Sequence, residues 1–100
     1  MYVLEIDKKA EADIDKAAAW YDKRVPGVSF KFYDDIDDCL RVILKYPKAF
    51  GYYNVKKQIR KCRLNTFKFH IFYHVYDNIV HVFAVLHERR SKKYIKRRLR

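Results

Sequence analysis

Three apolar-rich runs between residues 55 and 90 constrain the fold more than any other part of the chain. Two-residue turn signals separate these runs, Asn-Thr at 65–66 and Asp-Asn at 77–78. Asparagine and aspartate tolerate the positive φ that tight hairpin turns require, so such turns between apolar runs predict antiparallel hairpins. This stretch therefore predicts a three-stranded antiparallel meander.

Two-residue turns set the cross-strand register, and alternation then sorts the side chains between two faces. In this register His74 faces His81, His70 faces Val85, and Lys61 also faces His70. One face is expected to be apolar and to hold Phe69, Ile71, Tyr73, Val75, Val80, Val82, Ala84 and Leu86. The other face is expected to be basic and to hold all four histidines. Its expected members are Lys61, Arg63, Lys68, His70, Phe72, His74, His81, Phe83, Val85 and His87.

The first half of the chain predicts one strand and two helices. Residues 2–6 alternate as a short strand, whereas apolar residues at three- and four-residue steps predict helices over 8–23 and from about 28 to 45. Pro26-Gly27 separates the helices and Pro47 ends the second. A short break makes the helices an antiparallel hairpin, which should pack on the apolar face of the meander. The predicted fold is thus a two-layer α+β arrangement, β-α-α-β-β-β, with a four-stranded, mainly antiparallel sheet.

Three smaller features complete this fold prediction. Residues 46–56 are interpreted as a loop whose aromatic side chains either cover the core edge or form a platform for a stacked base. Arg60 falls on the apolar face, so a bulge or a sheet-edge position would have to accommodate it. Ser91 is a candidate N-cap for a short C-terminal helix.

Length and composition narrow the class of protein. One hundred residues suffice for one hydrophobic core, and 50% hydrophobic residues exclude a disordered chain. No run approaches the roughly 20 apolar residues of a membrane span, and the start carries no apolar signal region. A cytoplasmic location is expected. Cys39 and Cys62 lack metal-ligand spacing, so both are expected to be reduced and structural.

The net charge of +11 is concentrated in one half of the chain. Residues 1–54 carry nine Lys/Arg and ten Asp/Glu, a net charge of −1. Residues 55–100 carry fourteen Lys/Arg and two Asp/Glu, a net charge of +12. Such a one-sided basic surface favours polyanions through counterion release, and it attracts acidic proteins through the same field.

The basic face has the residue types that phosphodiester cleavage needs. That reaction requires a base, an acid, and cations for the charge that builds on phosphorus, and the 2′-hydroxyl of RNA can be the nucleophile without a metal. Histidine suits either proton role, and lysine and arginine supply charge. The candidate catalytic residues are Lys61, Arg63, His70, His87, Arg89 and Tyr94. The candidate nucleic-acid-binding cations are Lys68, Arg90, Lys92, Lys93, Arg97 and Arg98.

Other sites receive less support from the sequence. His74 and His81 are interpreted as a surface cross-strand pair, since no second Cys/His pair lies at zinc-ligand spacing. Ser29 and Ser91 are the only serines and both lie at predicted helix starts, so a Ser-His-Asp triad is not expected. The run 89–100 holds eight Lys/Arg, and is either a solvated tail or a phosphate-tracking segment.

The chain resembles the RelE/ParE superfamily of bacterial type II toxins. The similarity rests on AEADIDKAAAWYDK in the first helix, LKYPKAF after the second, and IRKCRL, FKFHIFYHV and HVFAVLHERR in the meander. It covers nearly the full chain as one domain, residues 1–100. Lys61, Arg63, Arg89 and Tyr94 match positions where RelE-type enzymes hold their site lysines, arginine and tyrosine, whereas His70 stands where arginine is common.

The resemblance implies a toxin that a cognate antitoxin neutralises, with no cofactor and no metal. RelE-like members cleave mRNA on the ribosome, whereas ParE-like members poison DNA gyrase without enzymatic activity. The first expectation is therefore a ribosome-dependent mRNA endonuclease. A gyrase inhibitor and a non-toxic binding module for an acidic partner remain as alternatives. The antitoxin is expected to lie over the helix hairpin, with an acidic part near the basic face.

Overall fold

The computed structural model describes residues 1–99 and forms an α+β fold, as predicted. The elements in chain order are β1 (Val3–Ile6), α1 (Lys8–Arg24), α2 (Val28–Lys45), β2 (Tyr52–Asn54), β3 (Ile59–Arg63), β4 (Phe69–Tyr76), β5 (Ile79–His87) and α3 (Lys92–Arg98). Within these residues the five strands form one sheet in the order β1-β5-β4-β3-β2, in which β1 is parallel to β5 and the other pairs are antiparallel.

Strand β2 is the element that the sequence did not predict, and it makes the sheet five-stranded instead of four-stranded. It spans three residues at the sheet edge, and a bulge separates its two pairs with β3. The same segment accommodates Arg60. The Arg60 guanidinium donates hydrogen bonds to the carbonyl of Phe50 at 2.6 Å and to the hydroxyl of Tyr52 at 2.9 Å. The predicted loop is therefore partly a strand whose oxygen atoms accept the hydrogen bonds of Arg60 near the sheet edge.

The helix hairpin is held closed by a carboxylate of α1 that caps α2. Asp22 accepts hydrogen bonds from the backbone N–H groups of Gly27 and Ser29 at 3.1 and 2.9 Å, and from the Ser29 hydroxyl at 2.7 Å. These bonds lower the pKa of Asp22, and the bond from the Ser29 hydroxyl has the largest effect. Gly27 has φ of 91°, a left-handed conformation that glycine adopts without strain. The Pro-Gly break thus turns the chain, and Asp22 satisfies the free N–H groups of the new helix.

The helix hairpin covers one face of the sheet, as predicted. Each helix buries one apolar stripe, Ala10, Ile14, Ala17 and Ala18 in α1 and Phe32, Ile36, Cys39, Leu40 and Ile43 in α2. These residues form one core cluster with sheet residues that include Ile71, Tyr73, Val80 and Val82. The buried hydroxyl of Tyr73 donates to the carbonyl of Pro47 at 2.7 Å, so the one polar group predicted on this face is satisfied.

A second buried carboxylate fixes the turn between β3 and β4. Asp35 lies on the buried stripe of α2 with 6% of its surface exposed. It accepts hydrogen bonds from three consecutive backbone N–H groups, those of Asn65, Thr66 and Phe67, at 3.2, 2.9 and 2.9 Å. This turn is longer than the two residues that the sequence suggested. Arg63 consequently pairs with His70.

The register of the β3–β4 hairpin therefore differs by two residues from the prediction, in which Lys61 faced His70. Lys61 instead pairs with Phe72 and Cys62 pairs with Ile71. Because the side-chain period of a strand is two, this shift leaves every side chain on its predicted face. Lys61, Arg63 and His70 accordingly share the face opposite the helix hairpin.

A bulge in β5 overturns the predicted register of the last hairpin. Tyr73 pairs with Val82 as expected, but Phe72 then pairs with Ala84, so Phe83 is the extra residue. A slip of one residue moves each later side chain to the opposite face. His87 now pairs with Phe69 in the core cluster beneath the helices, and His70 pairs with Leu86 instead of Val85. The prediction that all four histidines share one face is therefore wrong.

The same bulge creates a second apolar cluster on the outer face, and helix α3 covers it. Ala84 and Leu86, predicted for the helix-hairpin side, pack with Phe72, Ile95 and Leu99. Ser91 is the N-cap of α3, as predicted, since its hydroxyl accepts from the backbone N–H of Tyr94 at 3.1 Å. The C-terminal helix thus adds a small third layer to the predicted two.

Candidate functional site

The first candidate region is a patch of basic residues on the outer face, here called the outer basic patch and formed by Lys61, Arg63, Lys68 and His70. Arg63 and His70 lie opposite each other on β3 and β4. The Lys61 ammonium lies 5.5 Å from the centroid of the Tyr53 ring. Alternation of the strands places these side chains together, because they stand at even spacings on neighbouring strands.

An ion pair and a hydrogen bond hold the Arg63 side chain in the outer basic patch. The Arg63 Nε donates to Glu88 at 3.2 Å and its Nη1 donates to the carbonyl of Leu64 at 3.1 Å. The Arg63 hydrogen bond holds the pKa of Glu88 below its usual range. Burial and then the charge of Lys61 lower the pKa of His70, which favours a neutral imidazole that can accept a proton. The patch therefore combines the cations Lys61 and Lys68, which form no ion pair within residues 1–99, with an imidazole that can accept a proton.

The second candidate region is a groove of about 610 Å³ at the β5 edge, between α1, the end of β5 and the start of α3. We call it the α1 groove. Its floor is apolar and aromatic and consists of Ala17, Trp20, Tyr21, Phe69, Val85, Leu86 and Tyr94. Its polar lining consists of Asp13, Lys16, His87, Arg89 and Arg90. A volume of this size is in the range of pockets that hold a small ligand or an anchoring side chain.

Local contacts hold several groups of the α1 groove in place. The Nδ1 of His87 accepts from the backbone N–H of Arg89 at 3.0 Å, and its ring lies 5.1 Å from that of Phe69. The guanidinium of Arg90 stacks on the Tyr94 ring at 4.3 Å. This stacking limits the rotamers of an exposed arginine while its donors remain free for an anion.

An ion pair joins the two helices that border the α1 groove. Arg98 donates to both carboxylate oxygens of Asp13, at 2.8 and 2.7 Å, and Asp13 also accepts from the backbone N–H of Val85 at 3.0 Å. The hydrogen bond with Asp13 raises the pKa of Arg98. Since β1 ends opposite Val82, this pair covers the part of the β5 edge that lies beyond β1. Arg98, a predicted nucleic-acid-binding residue, thus has its guanidinium in an internal ion pair.

The structure divides the predicted catalytic set between these two regions. Lys61, Arg63 and His70 lie in the outer basic patch, whereas His87, Arg89 and Tyr94 line the α1 groove. The two regions adjoin, because His70 pairs with Leu86 of the groove floor and Tyr94 also packs against the outer apolar cluster. The predicted nucleic-acid-binding cations are also dispersed. Arg90 lines the groove, and the remaining exposed members are Lys68, Lys92, Lys93 and Arg97.

Sequence reasoning missed the helical half of the α1 groove. Asp13, Lys16, Trp20 and Tyr21 of α1 border it, although none was a candidate site residue. The available signal was Trp20, which flanks the apolar stripe of α1 and remains 50% exposed. An exposed aromatic residue indicates an interaction surface only as part of a contiguous apolar patch, and that patch, with Ala17, Tyr21 and Phe69, appears only in the folded chain.

The remaining histidines form a cross-strand pair, as expected from the turn. The Nδ1 of His81 lies 3.2 Å from the Nε2 of His74, and burial and then His81 lower the pKa of His74. Within residues 1–99, no three metal-ligating side chains cluster closely enough to hold a metal ion. No helix in that part of the chain has both the length and the apolar character that crossing a membrane requires.

Comparisons with known proteins bear on the fold and the family of this chain. The family model described as the ParE toxin of type II toxin-antitoxin system, parDE, matches residues 4–92. A solved structure of the chromosomal ParDE TA system from P. aeruginosa is similar, with a TM-score of 0.75 and 20% identity over 85% of this chain and 94% of that chain. The isolated E. coli RelE toxin is similar, with a TM-score of 0.62 and 21% identity over 97% of this chain and 95% of that chain.

A search of curated proteins found no match. The two solved structures support the fold, and the family match extends over most of the sequence. Membership of a toxin-antitoxin family also implies a cognate antitoxin as partner. This chain therefore belongs to the ParE toxin family of type II toxin-antitoxin systems.

Proposed function

We propose that this toxin acts by binding DNA gyrase and poisoning it, and that it does not cut RNA itself. The family match over residues 4–92 supports a ParE-like action, as does the higher structural similarity to the ParDE system than to the RelE toxin. Gyrase and its DNA lie in the cytoplasm, where we also place this chain.

The observation that carries the proposal is the separation of the candidate catalytic residues. Metal-free cleavage needs an acid, a base and cations around one phosphate. Here His87 pairs with Phe69 on the face that the helices cover, whereas Lys61 and His70 lie on the outer face. Arg63 is engaged with Glu88. A phosphate bound at the outer basic patch would therefore lack His87 and would have to displace Glu88 from Arg63.

A RelE-like mRNA endonuclease is the second candidate. The outer basic patch favours it, because Lys61 supplies a cation near the neutral imidazole of His70. Arg63 would join them if a bound phosphate displaced Glu88. Such a site would use His70 as the base and the two cations for charge on the phosphate, with mRNA on the ribosome as substrate.

Three assays of the same protein distinguish these functions. The purified chain is expected to inhibit supercoiling by DNA gyrase, and its induction in cells is expected to trigger the DNA-damage response while transcripts stay intact in primer extension. The double variant Lys61→Met/Arg63→Met is expected to keep this activity, because it alters only the outer basic patch. Cut transcripts and unaffected supercoiling, with cutting lost in the double variant, would establish the endonuclease instead. No effect on growth would support the non-toxic binding module.

We further propose that the α1 groove receives an acidic segment of the cognate antitoxin that carries a bulky apolar side chain. The groove offers an aromatic floor around Trp20, and Lys16, Arg89 and Arg90 provide positive charge in its lining. Its carboxylate, Asp13, is neutralised by Arg98. Apolar contact would supply affinity, and the cations would steer an acidic segment to the groove.

Charge reversal at the α1 groove tests this assignment. The variant Arg89→Glu/Arg90→Glu is expected to weaken antitoxin binding roughly tenfold or more and to flatten its salt dependence, measured by titration calorimetry at two salt concentrations. The matched control is Lys92→Glu/Lys93→Glu, which makes the same charge change on exposed residues of α3 outside the groove lining. Equal weakening in both variants would assign the effect to overall charge and would contradict the proposed groove site.

A further inference from the structure

The two cysteines of this chain meet inside the core although 22 residues separate them in the sequence. Cys39 belongs to the buried stripe of α2, and Cys62 belongs to β3 on the face that the helices cover. Their sulfur atoms lie 3.0 Å apart, and the two residues are only 5% and 6% exposed. Both are free thiols. The pair therefore links the helix layer to the sheet layer at a single point.

The spacing of the two sulfur atoms places them close to bonding distance. A disulfide has a sulfur–sulfur bond of about 2.05 Å, so the atoms need to approach by roughly 1 Å. The side chains already point at each other, because the Cys39 thiol donates a hydrogen bond to the Cys62 sulfur. The disulfide proposed below would require the two side chains to close this gap.

We propose that Cys39 and Cys62 form a reversible disulfide when the cell is exposed to peroxide, and that this bond links α2 covalently to β3. In a reducing cytosol the pair stays as two thiols, in agreement with the sequence expectation. The bond would enclose residues 40–61, which include the end of α2 and all of β2. It would restrict the unfolded chain and so stabilise the free toxin.

The chemistry needs only hydrogen peroxide as oxidant. The Cys39 hydrogen bond lowers the pKa of Cys62, whereas the same bond and burial raise the pKa of Cys39. Cys62 is thus the thiol that loses its proton more readily and attacks first. Its sulfur takes one peroxide oxygen to give a sulfenic acid, and hydroxide leaves. The Cys39 sulfur then attacks that sulfenic sulfur and water leaves. Overall, two thiols and one peroxide yield one disulfide and two waters.

The test uses the folded full chain, purified under reductant and then treated with peroxide. Free thiols are alkylated in denaturant before intact-mass measurement. We expect each chain to lose the mass of two hydrogen atoms and to resist alkylation. We also expect its Tm to rise by roughly 10 °C and to return after dithiothreitol treatment. The untreated protein is the internal reference, so the result does not depend on any variant that folds poorly.

The variants Cys39→Ala and Cys62→Ala serve as controls, each with its fold checked by circular dichroism. Peroxide is expected to raise the Tm of neither variant. Several results would overturn the inference: both thiols still open to alkylation after treatment, a gain in mass from added oxygen, disulfide-linked dimers, or a disulfide that leaves the Tm unchanged.

Discussion

Replacing Asp13 with alanine is expected to lower the free energy of unfolding by about 3 kcal/mol, because it leaves a largely buried arginine without its counterion. The side chains of Arg98 and Asp13 are only 17% and 16% exposed, and their two hydrogen bonds measure 2.8 and 2.7 Å. Loss of Asp13 also leaves the backbone N–H of Val85 without its acceptor. Urea denaturation followed by circular dichroism measures the change.

The double variant Asp13→Ala/Arg98→Met separates the lost counterion from the lost packing. Removing both charges should restore part of the stability, since no unpaired guanidinium then remains buried. The matched control is Arg97→Met, which removes the same charge from an exposed neighbour on α3 and should change stability by less than about 0.5 kcal/mol. A single Asp13→Ala variant as stable as the control would show that the ion pair contributes nothing.

The substitution Asp35→Asn is expected to destabilise the fold by about 3 kcal/mol, although it preserves the shape of the side chain. Asp35 accepts from three backbone N–H groups, and an amide offers a single neutral oxygen in place of two charged ones. The effect should be concentrated at the β3–β4 turn. Hydrogen exchange of the backbone amides of residues 65–67 should therefore accelerate along with the fall in overall stability.

The control for this prediction is Asp34→Asn, which removes one negative charge from the exposed face of the same helix. It should leave both the unfolding free energy and the exchange rates of the turn close to those of the parent protein. If Asp34→Asn and Asp35→Asn destabilised the chain equally, the effect would come from the acidity of α2 and not from the contact with the turn.

Local patterns predicted most of the elements and one face of the sheet. The helix stripes and the Pro-Gly break depend on neighbours within a few residues, and the strands β4 and β5 follow from alternation beside an Asp-Asn turn. The register shift in the β3–β4 hairpin left every side chain on its predicted face, because it was an even number of residues. The prediction that Lys61 and Arg63 share a face with His70 therefore holds despite the wrong turn length.

The β5 bulge could not be predicted from the alternation of apolar and polar residues. Residues 82–86 read Val-Phe-Ala-Val-Leu, so every position is apolar and alternation carries no information about which face each occupies. In the structure Val85 instead meets α1, and Ala84 and Leu86 meet α3. That choice moves His87 to the face that the helices cover, away from the other three histidines.

The amino-acid sequence alone determined the α+β class, the helix hairpin and the concentration of positive charge in the C-terminal half, because each depends on periodicity or composition. Only the tertiary structure decided which residues meet. Asp13 with Arg98, Asp35 with the β3–β4 turn, and Cys39 with Cys62 are all distant in the chain. Their pairing depends on how α1, α2 and α3 pack around a bulged sheet, and no local signal in the sequence specifies that packing.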